Sequence, residues 1–109
     1  MNLFHFIETP EFTKKIAALL TDDEFSGLQI FLCENPDFGK LIEGSGGVRK
    51  IRWAVRGRGK SGGVRVLYYL VTDKDKILLL DIYSKSDRET VTDNEIRSLR
   101  KIAERFRNE

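Results

Sequence analysis

Val64-Arg65-Val66-Leu67-Tyr68-Tyr69-Leu70-Val71, a break at Thr72-Asp73-Lys74-Asp75, and Lys76-Ile77-Leu78-Leu79-Leu80-Asp81-Ile82-Tyr83 are the residues that decide the fold. Both runs are rich in β-branched, leucine and tyrosine residues and are separated by a polar turn, which predicts two strands of a hairpin. Upstream, residues 48–55 alternate. Ile51, Trp53 and Val55 point to one side, while Lys50, Arg52 and, just beyond, Arg56 point to the other, because successive strand side chains face opposite ways. Three antiparallel strands are therefore expected in succession. Residues 57–63 form a glycine-rich basic connection between the first two, and residues 37–47, with glycines and no sustained period, read as a loop delivering the chain to the sheet.

Ahead of that loop the pattern is helical. Residues 3–7 are apolar and aromatic and stop at Thr9-Pro10, a cap followed by a proline in the first turn. Phe12, Ile16, Leu19 and Leu20 then recur at helical spacing, and Thr21 with Glu24 opens a second helix as a capping box. That helix carries Phe25, Leu28, Phe31 and Leu32 and should end at Asn35-Pro36, since the residue before proline avoids helical geometry. At the other terminus Thr92 and Glu95 repeat the capping-box spacing before Ile96, Leu99, Ala103 and Phe106. The predicted order is β-α-α-β-β-β-α: an α+β domain with helices against one face of a mainly antiparallel sheet.

A chain of 109 residues, 40% hydrophobic and 33% charged, suits one core, so residues 1–109 are taken as a single domain. The longest apolar runs fall far short of the roughly 20 residues a membrane helix needs. The first residues lack a basic leader, a long apolar stretch and a cleavage site. A cytoplasmic protein with no membrane partner is the expectation. The one cysteine, Cys33, lies in an apolar helical pattern and reads as a small core residue.

Charge distribution says more than net charge. Between residues 44 and 72 there is no acid, while Arg49, Lys50, Arg52, Arg56, Arg58, Lys60 and Arg65 contribute +7, leaving −5 on the rest of a chain whose net charge is +2. Such a split builds a local positive field suited to a phosphate backbone. The cations of the last helix, Arg97, Arg100, Lys101, Arg105 and Arg107, read as a solvated face.

Two glycine motifs in the basic connection fail on context. Gly57-Arg58-Gly59-Lys60-Ser61-Gly62 has the letters of a dinucleotide fingerprint, and Gly59-Lys60-Ser61 ends like a phosphate-binding loop. A Walker loop needs glycine at position 54, which is Ala54, and both motifs need a helix to follow where a strand is predicted. No nucleotide cofactor is expected, and the glycines instead allow the connection to approach a large ligand. Nor is a metal expected. His5 and Cys33 stand alone, the acids show no ligand spacing, and His5 reads as structural.

What survives is a polar sheet face: Lys50, Arg52 and Arg56 from one strand, Arg65 and Tyr69 from the next, Tyr83 and Lys85 ending the third. It is expected opposite the core, with Tyr68 facing inward and Tyr69 outward. Arg65, beside Gly62-Gly63, can offer its rigid donor fork to a phosphate. For the RNA-cutting reaction implied by the family resemblance set out below, in-line displacement at phosphorus loads charge on the equatorial oxygens, which Arg65 and Arg52 can stabilise. Lys50, flanked by Arg49, Arg52 and Arg56, is the candidate general base, because neighbouring cations favour a neutral amine. Lys60 or Lys85 is the candidate proton donor. Arg49, Arg56 and Arg58 are the expected RNA contacts, with Tyr69 beside them and Tyr83 either stacking on a base or packing in the sheet.

Gly46-Gly47-Val48-Arg49-Lys50-Ile51-Arg52, Gly59-Lys60-Ser61-Gly62-Gly63-Val64-Arg65-Val66-Leu67-Tyr68-Tyr69 and Leu80-Asp81-Ile82-Tyr83-Ser84-Lys85 closely resemble the sheet of HigB-type toxins in the RelE superfamily. The preceding helices, the element order and the last helix fit as well, so the resemblance spans nearly the whole chain. It implies the toxin of a toxin–antitoxin system, a metal-independent, ribosome-dependent endoribonuclease. Such toxins enter the A site against ribosomal RNA, cut messenger RNA there by attack of the 2′-hydroxyl on the adjacent phosphate, and so stop translation and growth. By that resemblance Lys50 and Arg52 match the basic pair of the first sheet strand, Arg65 the arginine opening the next, and Lys85 the basic residue after the last. It also implies a HigA-type antitoxin with a helix-turn-helix, operator DNA being bound only through the toxin–antitoxin complex. Several relatives carry a catalytic tyrosine or arginine just after the last strand, where this chain has Ser86, Asp87 and Arg88. The competing reading is a non-catalytic RNA- or ribosome-binding module, whose positive face only positions phosphates. A DNA-binding accessory is weaker, since no helix-turn-helix is visible and the strongest cation cluster falls on strands and a loop.

Overall fold

The computed structural model describes residues 3–54, 63–87 and 90–109. Strand β1 (His5–Glu8) runs into Thr9, whose hydroxyl accepts from the Phe12 amide and donates to the Leu80 carbonyl at 2.7 Å. This one side chain starts helix α1 (Pro10–Leu19) and ties it to the sheet, with Pro10 at the first helical position, where a missing N–H costs nothing. Only Leu20 and Thr21 separate α1 from helix α2 (Asp22–Glu34), which opens with the expected reciprocal Thr21–Glu24 capping box. It closes at Asn35, whose amide returns to the Phe31 carbonyl. Then come β2 (Lys40–Leu41), β3 (Val48–Trp53), β4 (Val64–Val71), β5 (Lys76–Ser84) and α3 (Asp93–Arg107), the last again opened by a capping box, Thr92 with Glu95.

The α+β class and the order of the predicted elements hold, and two corrections follow. The sheet has five strands rather than three, in the order β1-β5-β4-β3-β2, antiparallel except for β1, which pairs parallel with β5. The helices also occupy both faces. Phe12, Leu20, Leu28 and Leu32 from the α1–α2 region pack with Ile51, Val64, Val66, Tyr68, Ile77, Leu79 and Ile82. Leu99 and Ala103 of α3 pack with Val48, Leu67, Tyr69, Val71, Leu78, Leu80 and Tyr83 on the reverse side. The reason lies in β4 and β5, apolar on nearly every residue and buried along almost their whole length. A strand of that composition must be covered on both sides.

A bulge in β5 adjusts the two faces. Leu67 opposes Asp81 and Tyr68 opposes Leu79, so Leu80 is the extra residue and alternation reverses around it. The turn before β5 is a tight 3-10 turn, Thr72–Lys74, ending on Asp75 at φ 52°, a left-handed conformation that aspartate tolerates better than most residues. Lys74 Nζ donates to the Arg107 and Glu109 carbonyls at 3.0 and 2.6 Å, placing a cation at the negative end of α3.

Tyr68, with none of its surface exposed, fastens the segment leading to β2. Its hydroxyl donates to the Pro36 carbonyl at 2.8 Å and accepts from the Gly39 amide at 2.9 Å. Gly39 has no room for a side chain: a Cβ there would lie 2.7 Å from the Tyr68 hydroxyl oxygen. Burial pushes the Tyr68 phenol above its ordinary value, against the opposing pull of the Gly39 hydrogen bond and the Arg49 charge, with Asp37 adding to the rise. A raised value means the fold favours the neutral phenol. That contribution is complete below the unfolded value of about 10 and is lost as pH rises through the folded one. Tyr68→Phe should cost about 1–3 kcal/mol at neutral pH by stranding the buried Gly39 amide, and the gap to wild type should narrow above about pH 10. Urea unfolding of both proteins at neutral and alkaline pH checks this; a gap that stays constant would contradict it.

Candidate nucleic-acid interface

Strand alternation and pairing bring the cations together. On β3, Val48, Lys50 and Arg52 share the α3 side of the sheet, and their cross-strand partners on β4 are Tyr69, Leu67 and Arg65. On β5, Tyr83 is the partner of Arg65. Because neighbouring strands run in opposite directions, the end of β3, the start of β4 and the end of β5 meet at one end of the sheet. Helix α3 packs at the other end, over Val48, Tyr69 and Val71. Among the described residues α3 thus roofs one half of the polar face, which is not wholly opposite the core, and the cations occupy the other half.

Arg52, Trp53, Ala54, Gly63, Arg65 and Lys85 line a hollow of about 230 Å³. Arg52 and Lys85 are exposed, whereas Arg65 is 5% exposed, so its guanidinium is positioned by its surroundings. The Lys85 amide donates to the Gly63 carbonyl at 3.4 Å, which brings the end of β5 beside the start of β4. None of the six lining residues is acidic. Arg52 and Arg65 are direct cross-strand partners, so β3 and β4 set two arginines side by side at this hollow.

Lys50, half-buried, lies one step along the same face. It lines a second hollow of about 410 Å³ with Phe38, Gly39, Lys40, Ile51 and Arg52, and a third of about 230 Å³ with Lys40, Leu41, Ile42, Thr90, Val91 and Ile96. Arg52 belongs to both the first and the second. Sequence reading missed Lys40, which pairs directly with Lys50 across β2 and β3. A two-residue strand has no periodicity to detect, so no sequence signal marked it.

Three expected RNA contacts are corrected. Arg49 points to the α2 side of β3 and donates to the Asp37 and Gly39 carbonyls at 3.0 and 2.8 Å, so it fastens a loop. Tyr69 is on the expected side of its strand but only 3% exposed, packed in the α3 core with Gly47 against its ring. Tyr83 is likewise 3% exposed and part of that core, which makes it the sheet-packing tyrosine of the two readings. Both rings are members of that buried cluster, so neither presents an open face to a strand of RNA. Tyr68 faces the other core, as expected. Arg56, Arg58, Lys60 and Arg88 lie outside the described residues.

A larger hollow of about 500 Å³ lies between the first turns of α1 and α3, floored by Leu67, Leu80 and Leu99. Its charged lining residues are Glu11, Asp81 and Glu95, all acidic, so it is unsuited to phosphate whatever its size. Lys15 bridges Asp81 at 2.9 Å and Glu11 at 3.1 Å nearby. Cys33 is buried in α2 and His5 is exposed on β1. Among the described residues no group of three histidine, cysteine or acidic side chains could hold a metal ion, and no helix is long and apolar enough to cross a membrane.

Fold and site together define a small α+β protein with a cationic hollow where the end of β3, the start of β4 and the end of β5 meet. Comparison narrows that class. The family model described as "RelE toxin of RelE / RelB toxin-antitoxin system" matches residues 39–109, which takes in β2 to β5 and α3. Among solved structures, a double arginine-to-alanine mutant of the E. coli toxin RelE in the free state aligns at a TM-score of 0.60 and 15% identity. That alignment covers 94% of this chain and 97% of the other, and at such identity it speaks for the fold alone. The chain belongs to the RelE toxin family.

Proposed function

We propose that this protein is a toxin of the HigB type that cleaves messenger RNA in the ribosomal A site, without a metal, and so inhibits translation in the cytoplasm. The observation that carries the reading is the convergence of Arg52, Arg65 and Lys85 on one hollow with no acid among its described lining residues. The opposite polarity of the 500 Å³ hollow supports it, because its acids repel a sugar-phosphate strand that the cationic hollow attracts.

In the proposed reaction the 2′-oxygen of one nucleotide forms a bond to the adjacent phosphorus as the bond to the 5′-oxygen breaks. The products are a 2′,3′-cyclic phosphate and a free 5′-hydroxyl. Arg65, held by burial, and Arg52, opposite it, offer donors to the equatorial oxygens, where charge accumulates in the transition state. Lys85 sits at the rim of the same hollow and is the candidate donor of a proton to the departing 5′-oxygen. Lys50, on the neighbouring hollow with Lys40, is the candidate acceptor of the 2′-proton. Lys60 remains a second candidate donor. The partner is a HigA-type antitoxin, which would neutralise the toxin and carry the complex to operator DNA.

Arginine cannot give up its proton near neutrality, so Lys50→Arg separates charge from base function. Cleavage by this variant should fall about 100-fold while RNA binding persists. Cleavage at the wild-type rate would remove Lys50 from the base position and leave it a phosphate contact.

A further inference from the structure

A single strand drawn across this face needs a surface for its bases, and both tyrosines expected to supply one are buried. The exposed aromatic beside the cations is Phe38, at 65% exposure. Isolated exposed phenylalanines are ordinary, so exposure alone decides nothing. Two further features do. First, the ring is held. It meets Phe31 edge-on, with centroids 5.1 Å apart at 84°, and Phe31 packs in turn on Trp53 at 5.4 Å. The backbone around it is fastened by Tyr68 to Pro36 and Gly39 and by Arg49 to Asp37 and Gly39. A ring fixed in this way loses little conformational freedom when something stacks on it. Second, Phe38 shares its hollow with Lys40, Lys50 and Arg52 and, among the described residues, with no acid, and Arg52 also lines the Arg65–Lys85 hollow.

We infer that Phe38 is a stacking platform for a base of single-stranded RNA next to the nucleotide held at Arg65, with Lys40 and Lys50 gripping the phosphate between them. The inference rests on the reading of the site as an RNA-cleaving face and adds to it a residue that selects for an unpaired, unstacked base. Aromatic platforms tolerate every base, since each has a π-face, so Phe38 should strengthen binding without imposing a sequence.

The test uses the full chain, a short fluorescein-labelled single-stranded RNA of mixed sequence, and translated messages read by primer extension. Phe38→Leu keeps an apolar contact with Phe31 but removes the π-face. It should weaken binding roughly 5- to 150-fold, raise KM more than it lowers kcat, and leave the salt dependence of binding unchanged. Phe38→Trp should restore affinity. Lys40→Gln should weaken binding and reduce the salt slope by about 0.7, the signature of one lost phosphate contact. Thermal melting of each variant should match wild type. If Phe38→Leu binds and cuts like wild type while Arg65→Ala is inactive, the platform is overturned and the cleavage reading stands. If Phe38→Leu is weakened, melts early and is not rescued by tryptophan, Phe38 is structural and the platform is again overturned. Wild-type protein that neither binds the RNA nor cuts translated messages overturns both.

Discussion

Arg65→Ala is expected to abolish codon-phased cutting of translated messages, with cleavage falling at least about 100-fold, and with it the growth arrest caused by inducing the wild-type chain. The size of the effect comes from position. Arg65 lies on β4, the middle of the three strands that meet at the cationic hollow, with Arg52 opposite on one side and Tyr83 on the other. At 5% exposure its fork is already oriented and largely withdrawn from water. Removing one preorganised donor to a developing oxyanion typically costs 10² to 10³ in kcat. Arg65→Lys keeps the charge but loses the planar fork, so it should recover only part of the rate. Primer extension with and without induction reads the cuts, and melting of the purified variant shows whether it folds. Full activity in a folded Arg65→Ala protein would remove the hollow from the reaction, and binding without any cleavage by wild type would favour the non-catalytic RNA-binding module instead.

Salt should act almost as strongly. Lys40, Lys50, Arg52, Arg65 and Lys85 line the connected hollows. If each neutralises one phosphate of a single strand, log K falls with log salt at a slope of about −3.5, so affinity drops roughly 100-fold between 50 and 200 mM salt. Arg56, Arg58 and Lys60 can only steepen that slope. The Lys40→Gln, Lys50→Gln double variant should flatten it by about 1.4 units. Fluorescence anisotropy of labelled RNA across a salt series measures the slope directly, and a value near −1 would mean that the face does not track a sugar-phosphate backbone.

Much of the fold was legible locally. The caps at Thr9, Thr21 and Thr92, the stop at Asn35-Pro36 and the β4–β5 hairpin depend on side chains only a few residues apart, and they stand where the sequence puts them. The candidate site was legible where alternation applies: Lys50, Arg52 and Arg65 on one side and Tyr68 on the other follow from the two-residue period of a strand. What failed was whatever depended on coverage. Tyr69 and Tyr83 are on the predicted side, yet alternation does not say that they are buried there. Arg49 was counted with its basic neighbours although its parity on β3 turns it toward α2. Lys40 and Phe38 were out of reach because β2 is too short to show a pattern, and a segment's neighbours across a sheet are not written in its own residues.

By itself, then, the sequence determined the helix boundaries, the hairpin at the heart of the sheet and the uneven charge that gathers cations between residues 44 and 72. These follow from backbone sterics, capping and periodicity, all of which act over a few residues. The tertiary structure decided the parallel β1–β5 pairing, the placing of α3 on the opposite face, the burial of both tyrosines and the gathering of Arg52, Arg65 and Lys85 around one hollow. Those arise from contacts between residues far apart in the chain, chosen by how apolar faces can all be covered at once.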